Sequence, residues 1–232
     1  MTEGSRQLPL AVTLDVEARF DTYYSAGNTD AIAALQMLPS PGVWLASPTS
    51  CGRSHLLQAV VAAAPANAAW YLPLSKEMPA QSIAGLAPDA IVCLDDVDQV
   101  AGNADWEQAL FALYESQLAG GGRLVISASR RPDQTGFALP DLVSRFTSLA
   151  LYRLQPLDDA ALIRALQLRA RYRGLELPDA AAHFLLKRLP REPRALFAWL
   201  ARLDEAALSA KRGLTLPFVR DTLNRLLAES EA

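Results

Sequence analysis

Two hydrophobic patterns divide the chain near Leu154. Before it, short runs that are apolar throughout alternate with longer stretches of helical period. Five such runs predict strands: Gly42–Ala46, Ala68–Leu74, Ala90–Asp96, Arg123–Ser129 and Leu149–Leu154. A strand buried on both faces reads as an unbroken apolar run, so this pattern predicts a parallel sheet covered by helices on both sides. One helix follows the first strand ("SHLLQAVVAAA", ending near Pro65). Another is predicted in "NADWEQALFALYESQLAGGG": Asn103 can cap it, Asp105 and Glu107 stand in its first turn, and Gly120–Gly122 stop it.

Beyond Leu154 only helical patterns remain, in "DDAALIRALQLRARYRG", "LPDAAAHFLLKRLP", "PRALFAWLARLDEAALSAKRG" and "LPFVRDTLNRLLAES". Leu162, Leu166, Leu185, Leu189, Phe197 and Leu200 recur at spacings of three and four, the signature of a buried helix face. The expected organisation is an α/β unit over residues 15–154 and a small all-α unit over residues 155–232, after an N-terminal tail over residues 1–14.

Composition narrows the function classes. The 232 residues are 51% hydrophobic, which fits a globular chain and excludes wholesale disorder. The net charge of −3 argues against a protein whose main task is coating nucleic acid. Two cysteines, Cys51 and Cys93, have no C-x-x-C spacing, and the two histidines, His55 and His183, lie far apart. A zinc site is not expected, and the cysteine usage points to a reducing cytoplasm. No signal peptide or membrane-spanning run is expected.

The chemistry starts in the loop after the first strand. A P-loop has the form G-x-x-x-x-G-K-[ST] between a strand and a helix. Here Ser47 holds the first glycine position, Gly52 the second, Arg53 the lysine position and Ser54 the hydroxyl position. A glycine turn at a helix start points backbone N–H groups at phosphate oxygens, and the helix dipole favours the anion. Arg53 can hold phosphate as a fork but cannot copy the compact ammonium of lysine. Ser54 can place its hydroxyl on magnesium.

"IVCLDDVD" supplies the complement: an apolar strand ending in paired acids, the form of a Walker B motif. Asp95 would hold magnesium through water and Asp96 would orient the attacking water. "RLVISASRRP" ends a strand in small polar residues, with Ser129 placed to sense a γ-phosphate. Arg145, in "LPDLVSRF", precedes the last strand, and Arg191 and Arg194 open a helix of the second unit.

The chain resembles the AAA+ ATPases, more closely the DnaA initiators, and more closely still the DnaA-related regulators of the Hda family. The resemblance rests on "RQLPLAV", "RFDTYYSAGN", "CGRSHLL", "WYLPLSK", "WEQALFALYE", "LPDLVSRF", "LQPLDDAALIRALQLRARYRGLELP", "FLLKRL" and "LTLPFVRDTL", spread over almost the whole chain. The fold it implies is an AAA+ P-loop core, with a five-stranded parallel sheet and helices on both faces, followed by a small all-α lid. The function it implies is negative regulation of replication initiation. With the DNA-loaded sliding clamp (the polymerase III β subunit), such a protein stimulates hydrolysis of the ATP held by DnaA. ADP is the implied cofactor, with ATP as the alternative, and magnesium on Ser54 and Asp95 when nucleotide is bound.

Carried over by residue, the nucleotide contacts are Ser50, Cys51, Gly52, Arg53, Ser54, His55, Ser129 and Arg191. Arg145 is the arginine finger supplied to the partner, with Asp96 as a second catalytic candidate. Gln7, Leu8, Pro9 and Leu10 match the clamp-binding peptide Q-L-[SP]-L-P-L in a flexible tail, and Ala11 and Val12 depart from it. Ser50 and Ser129 also depart from the family, where glycine and an acidic or amide residue are usual. No separate DNA-reading domain is expected, and a homo-oligomer stays open. Two further readings stand beside the adaptor: an autonomous ATPase, since both acids are intact, and a DnaA-like scaffold without nucleotide.

Overall fold

The computed structural model describes residues 14–48 and 50–230. Five parallel strands form one sheet: β1 (Gly42–Ala46), β2 (Ala69–Pro73), β3 (Ile91–Asp95), β4 (Arg123–Ala128) and β5 (Ala150–Arg153), in the spatial order β2-β3-β4-β1-β5. Position in this order explains burial. Interior strand β1 is buried at all five positions, whereas edge strand β5 alternates between half-buried and exposed. Gly42 opens β1 because nothing larger fits: a Cβ there would lie 1.9 Å from the Leu124 carbonyl oxygen of the adjacent strand.

The helices of this unit are α1 (Thr29–Met37), α2 (Arg53–Ala63), α3 (Ala104–Gly120) and α4 (Pro140–Thr147). Asn103 caps α3 as expected, accepting hydrogen bonds from the N–H groups of Asp105 and Trp106 at 3.1 and 3.2 Å. Gly121, left-handed at φ 81°, ends it. Helix α4 is short but strongly two-sided, with Leu142 and Phe146 fully buried. Phe146 packs on Trp44 of β1 (ring centroids 5.4 Å apart) and on Phe137 (5.5 Å). These contacts fix the helix that carries Arg145 against the centre of the sheet.

The chain divides into two compact units, the second of which runs from Gln155 and also takes in Asp21–Ala26 and Ser50–Gly52. Its helices are α5 (Asp159–Tyr172), α6 (Asp179–Arg188), α7 (Pro193–Ala210) and α8 (Leu216–Ser230). Asp158 caps α5 through the N–H of Ala161 at 2.7 Å. Pro193 occupies the first turn of α7, where its missing N–H costs nothing. The core of this unit includes Leu162, Leu166, Leu185, Leu189 and Leu200. Phe197, expected on the same face, is only half-buried and lies under the Arg169 guanidinium, 4.8 Å from its ring centroid. No helix among the described residues is long and apolar enough to cross a membrane.

Candidate nucleotide site

The parallel sheet collects its chemistry at the C-terminal strand ends. β1 delivers Ser47, β3 delivers Asp95 and Asp96, and β4, lying between them, delivers Ser127 and Ser129. In open α/β sheets this edge is where ligands bind.

Asp95 is 2% exposed. Buried carboxylates need donors, and this one has two. The Tyr71 hydroxyl donates to Oδ2 at 2.7 Å, and the Ser127 hydroxyl donates to Oδ1 in a very short hydrogen bond. Ser127 Oγ also accepts from the backbone N–H of Asp96 at 2.9 Å, so one hydroxyl ties both acids to β4. Burial first, then the Asp95 charge and the hydrogen bond to it, push the Tyr71 hydroxyl well above its ordinary pKa, which keeps it protonated as a donor. The Cys93 thiol is raised for similar reasons, burial first and Asp95 second, so it is an inert core group.

Asp96 leaves β3 in the left-handed region, at φ 54° and ψ 47°. Aspartate tolerates that conformation better than most residues. The turn sends the chain into a 3-10 helix over Val97–Val100 and leaves the Asp96 carboxylate only partly covered. Its pKa is raised by partial burial first, then by the charges of Asp95 and Asp98, while Arg53 pulls it back down.

Arg53 is the first residue of α2 and sits at the lysine position of the loop. It donates to the Ser47 carbonyl oxygen at 2.7 Å and to Asp96 Oδ1 at 2.7 Å. The guanidinium therefore bridges the end of β1 and the second acid. A lysine has no planar fork with which to make both contacts at such different angles. Phosphate held at Arg53 must share this cation with Asp96.

Ser129 is also committed: its hydroxyl and its N–H both donate to Asp98 Oδ2, at 2.5 and 3.3 Å. His55, one turn into α2, has its Nε2 2.8 Å from the Arg19 carbonyl oxygen. Ser54 is the second residue of α2. Within the second unit, the Tyr23 hydroxyl donates to the Cys51 carbonyl oxygen at 2.8 Å. The adjacent Gly52 has φ 81°, and a Cβ there would lie 2.8 Å from the Tyr23 ring. Glycine is thus required twice over, by backbone and by space. Arg191 pairs with Asp159 at 3.2 Å, both largely exposed.

These residues fit a nucleotide in two respects. The first turn of α2 holds no acid that would compete with a phosphate. Asp95 and Asp96 supply carboxylates of the number that suits magnesium carried in on phosphates. Among the described residues no cluster of three or more His, Cys, Asp or Glu could hold a metal by itself. Gln7, Leu8, Pro9 and Leu10 lie outside the described residues.

Sequence reading missed Tyr71, Ser127, Asp98 and Glu107. Ser127 had a usable signal; Tyr71 did not, because its place beside Asp95 depends on register. Tyr71 pairs with Cys93 in register, which puts it on the face of Asp95, one step diagonally away. Ser127 is a polar residue inside an otherwise apolar strand, and it is fully buried. Glu107, read only as a first-turn acid of α3, proves to be 2% exposed and accepts hydrogen bonds from the backbone N–H groups of Gly102, Ala138 and Leu139.

The family described as the Hda lid domain matches residues 158–223, most of the second unit. Among solved structures, domain III of the replication initiation protein DnaA from Thermotoga maritima is 20% identical with a TM-score of 0.73, the match covering 92% of this chain and 98% of that one. The AMPPCP-bound DnaA from Aquifex aeolicus is 17% identical at a TM-score of 0.65, over 83% of this chain and 67% of that one. The Thermotoga maritima RuvB Holliday junction branch migration motor is 18% identical at 0.62, over 88% and 68%. At these identities the likeness is one of fold. Residues 158–223 thus match the Hda lid domain, in a chain whose fold is like that of DnaA domain III.

Proposed function

We propose that this protein is a DnaA-related negative regulator of replication initiation. In this reading it docks on the DNA-loaded sliding clamp, holds ADP in its degenerate P-loop, and stimulates hydrolysis of the ATP bound to DnaA. The observation that carries the reading is the Hda lid match over residues 158–223 on a DnaA-like fold. The solved DnaA with bound AMPPCP supports a nucleotide in the loop.

The site geometry favours an adaptor over a free-standing ATPase. Transfer of a phosphoryl group needs positive charge placed on the oxygens where charge develops. Here the cation at the lysine position is already bonded to Asp96 and to Ser47. Binding of a diphosphate needs mainly backbone amides and a helix N-terminus, and the first turn of α2 carries no acid that would oppose it. Bound nucleotide would supply a fixed anion there, and in this reading Ser54 and Asp95 would hold its magnesium. Arg145, on an exposed side of α4, is the group to be lent to DnaA. The decisive measurement is hydrolysis of DnaA-bound ATP with loaded clamp, with and without this protein. No acceleration in its presence overturns the reading.

Two further results are expected. Calorimetry should detect ADP binding by the pure protein, while steady-state ATP turnover by the protein alone stays far below that of an ordinary ATPase. An absence of ADP binding at millimolar concentration, or fast turnover, contradicts this and favours the scaffold or the autonomous ATPase respectively. Replacing Gln7 and Leu8 together by alanine should abolish clamp pull-down with no change in thermal stability. Glutamine followed by spaced leucines suits a small apolar groove, and Pro9 lowers the ordering cost. Lost stability with retained clamp binding would make the segment structural instead.

A further inference from the structure

Both terminal nitrogens of Arg53 are engaged by the chain itself. Nη1 donates to the Ser47 carbonyl oxygen at 2.7 Å, and Nη2 donates to Asp96 Oδ1 at 2.7 Å. All three residues belong to the first unit. Among the described residues Arg53 pairs with no other acid, and Asp96 with no other cation. The two side chains are unequally covered: that of Arg53 is 18% exposed and that of Asp96 43%.

The two contacts of the guanidinium differ in kind. The Ser47 acceptor is backbone and stays in place, because Ser47 is fully buried and its N–H donates to the Ala128 carbonyl oxygen at the end of β4, at 3.1 Å. Asp96 holds on through a side chain that has solvent beside it, so a rotation within that side chain carries the carboxylate into water. The Asp96 backbone need not follow, since its N–H is tied separately to Ser127 Oγ at 2.9 Å. One nitrogen of Arg53 is thus anchored and the other is exchangeable. A largely covered guanidinium is costly to leave without an acceptor, so Asp96 departs only when another anion takes over. Carboxylate and phosphate oxygens fit the same planar fork. Lysine, with a single ammonium, could not keep a separate anchor through such an exchange.

We propose that Asp96 is an internal anion occupying the phosphate-binding side of Arg53, and that it sets nucleotide affinity because a bound diphosphate must displace it. The proposal rests on the reading of ADP in this loop, and it gives Asp96 a role other than orienting water. The cation at the lysine position of a P-loop reaches the β- and γ-phosphates, so ADP meets this competitor directly.

The test is calorimetric titration of the whole protein with ADP in EDTA, so that no metal bridges the phosphates and the acids. Asp96→Asn tolerates the left-handed backbone at φ 54°. It should bind ADP about fivefold more tightly than wild type, the upper end for a partly exposed ion pair. Asp96→Gly, which also suits that backbone, should show the same gain and guards against misfolding of the asparagine variant. Arg53→Gln should bind ADP more weakly than wild type. In that background Asp96→Asn should recover less than about twofold, because the competition needs both partners. A gain of equal size in both backgrounds is plain charge repulsion and overturns the proposal. Unchanged or weaker ADP binding by both Asp96 variants overturns it as well. If the Asp96 variants bind ADP and wild type does not, the competitor stands and the ADP part of the regulatory reading fails. If neither wild type nor any Asp96 variant binds, the competitor is overturned, while hydrolysis of DnaA-bound ATP decides the regulatory reading separately.

Discussion

Replacing Arg145 by alanine is expected to lower clamp-dependent hydrolysis of DnaA-bound ATP by about 10³–10⁵-fold, the contribution of an arginine finger, and to leave the protein folded. The two halves of this expectation have separate physical sources. Leu142 and Phe146 bury one side of α4, and Arg145 lies off that side with its side chain 47% exposed. Its partner is Glu115 of α3, at 2.7 Å and itself 41% exposed. The Tyr114 ring lies 5.9 Å from the guanidinium. An ion pair this open contributes about 0–1 kcal/mol, so it holds the arginine ready without committing it, and its loss leaves the melting temperature nearly unchanged. In the proposed role, the same group would act at the partner's γ-phosphate, where charge develops in the transition state. Arg145→Lys should behave more like alanine than like wild type, because the fork is lost while the charge remains. The check is single-turnover hydrolysis on DnaA with loaded clamp, alongside clamp pull-down and thermal melting of each variant. A variant that folds, binds clamp and stimulates normally removes Arg145 from this role.

Strand positions were legible in the sequence because central parallel strands bury both faces. "GVWLA" and "IVCLDD" therefore stand out as unbroken apolar runs. The lid helices were legible for the complementary reason: each buries one stripe, so leucines recur at helical spacing. The loop and acid pair were legible because a glycine turn before a helix and paired acids at a strand end are local patterns. What joins them was not. Arg53 reaching Asp96 spans 43 positions, and Tyr71 reaching Asp95 spans 24, so both depend on strand order and register. The tertiary role of Glu107 was hidden by a competing local explanation, since an acid in the first turn of a helix is adequately explained by the helix dipole. Local signals declare the parts of this site, and long-range pairing decides which parts are already bonded to each other.

Glu107 is also where the largest loss of stability outside the apolar core is expected. The side chain accepts from Gly102 N–H at 2.8 Å, from Ala138 N–H at 3.0 Å and from Leu139 N–H at 2.6 Å. Gly102 lies just after the 3-10 helix that follows the acid pair, and Leu139 is the residue before α4. One buried carboxylate thus ties the segment following Asp96 to the segment that starts the Arg145 helix. Alanine at this position would leave three backbone donors without an acceptor, each costing about 1–3 kcal/mol when buried, with partial relief by water. The expected loss is about 3–5 kcal/mol for Glu107→Ala and about 1–2 kcal/mol for Glu107→Gln, whose remaining oxygen still accepts while its amide faces donors. Because Leu139 fixes the entry of α4, both variants should also stimulate DnaA less than wild type at temperatures where they remain fully folded. Arg145→Ala, by contrast, should lose stimulation with no loss of stability. Urea unfolding of the two Glu107 variants beside wild type and Arg145→Ala makes the comparison. An alanine variant within about 0.5 kcal/mol of wild type, the range of an ordinary surface change, would mean that the three amides find other acceptors and that Glu107 does not hold the finger helix in place.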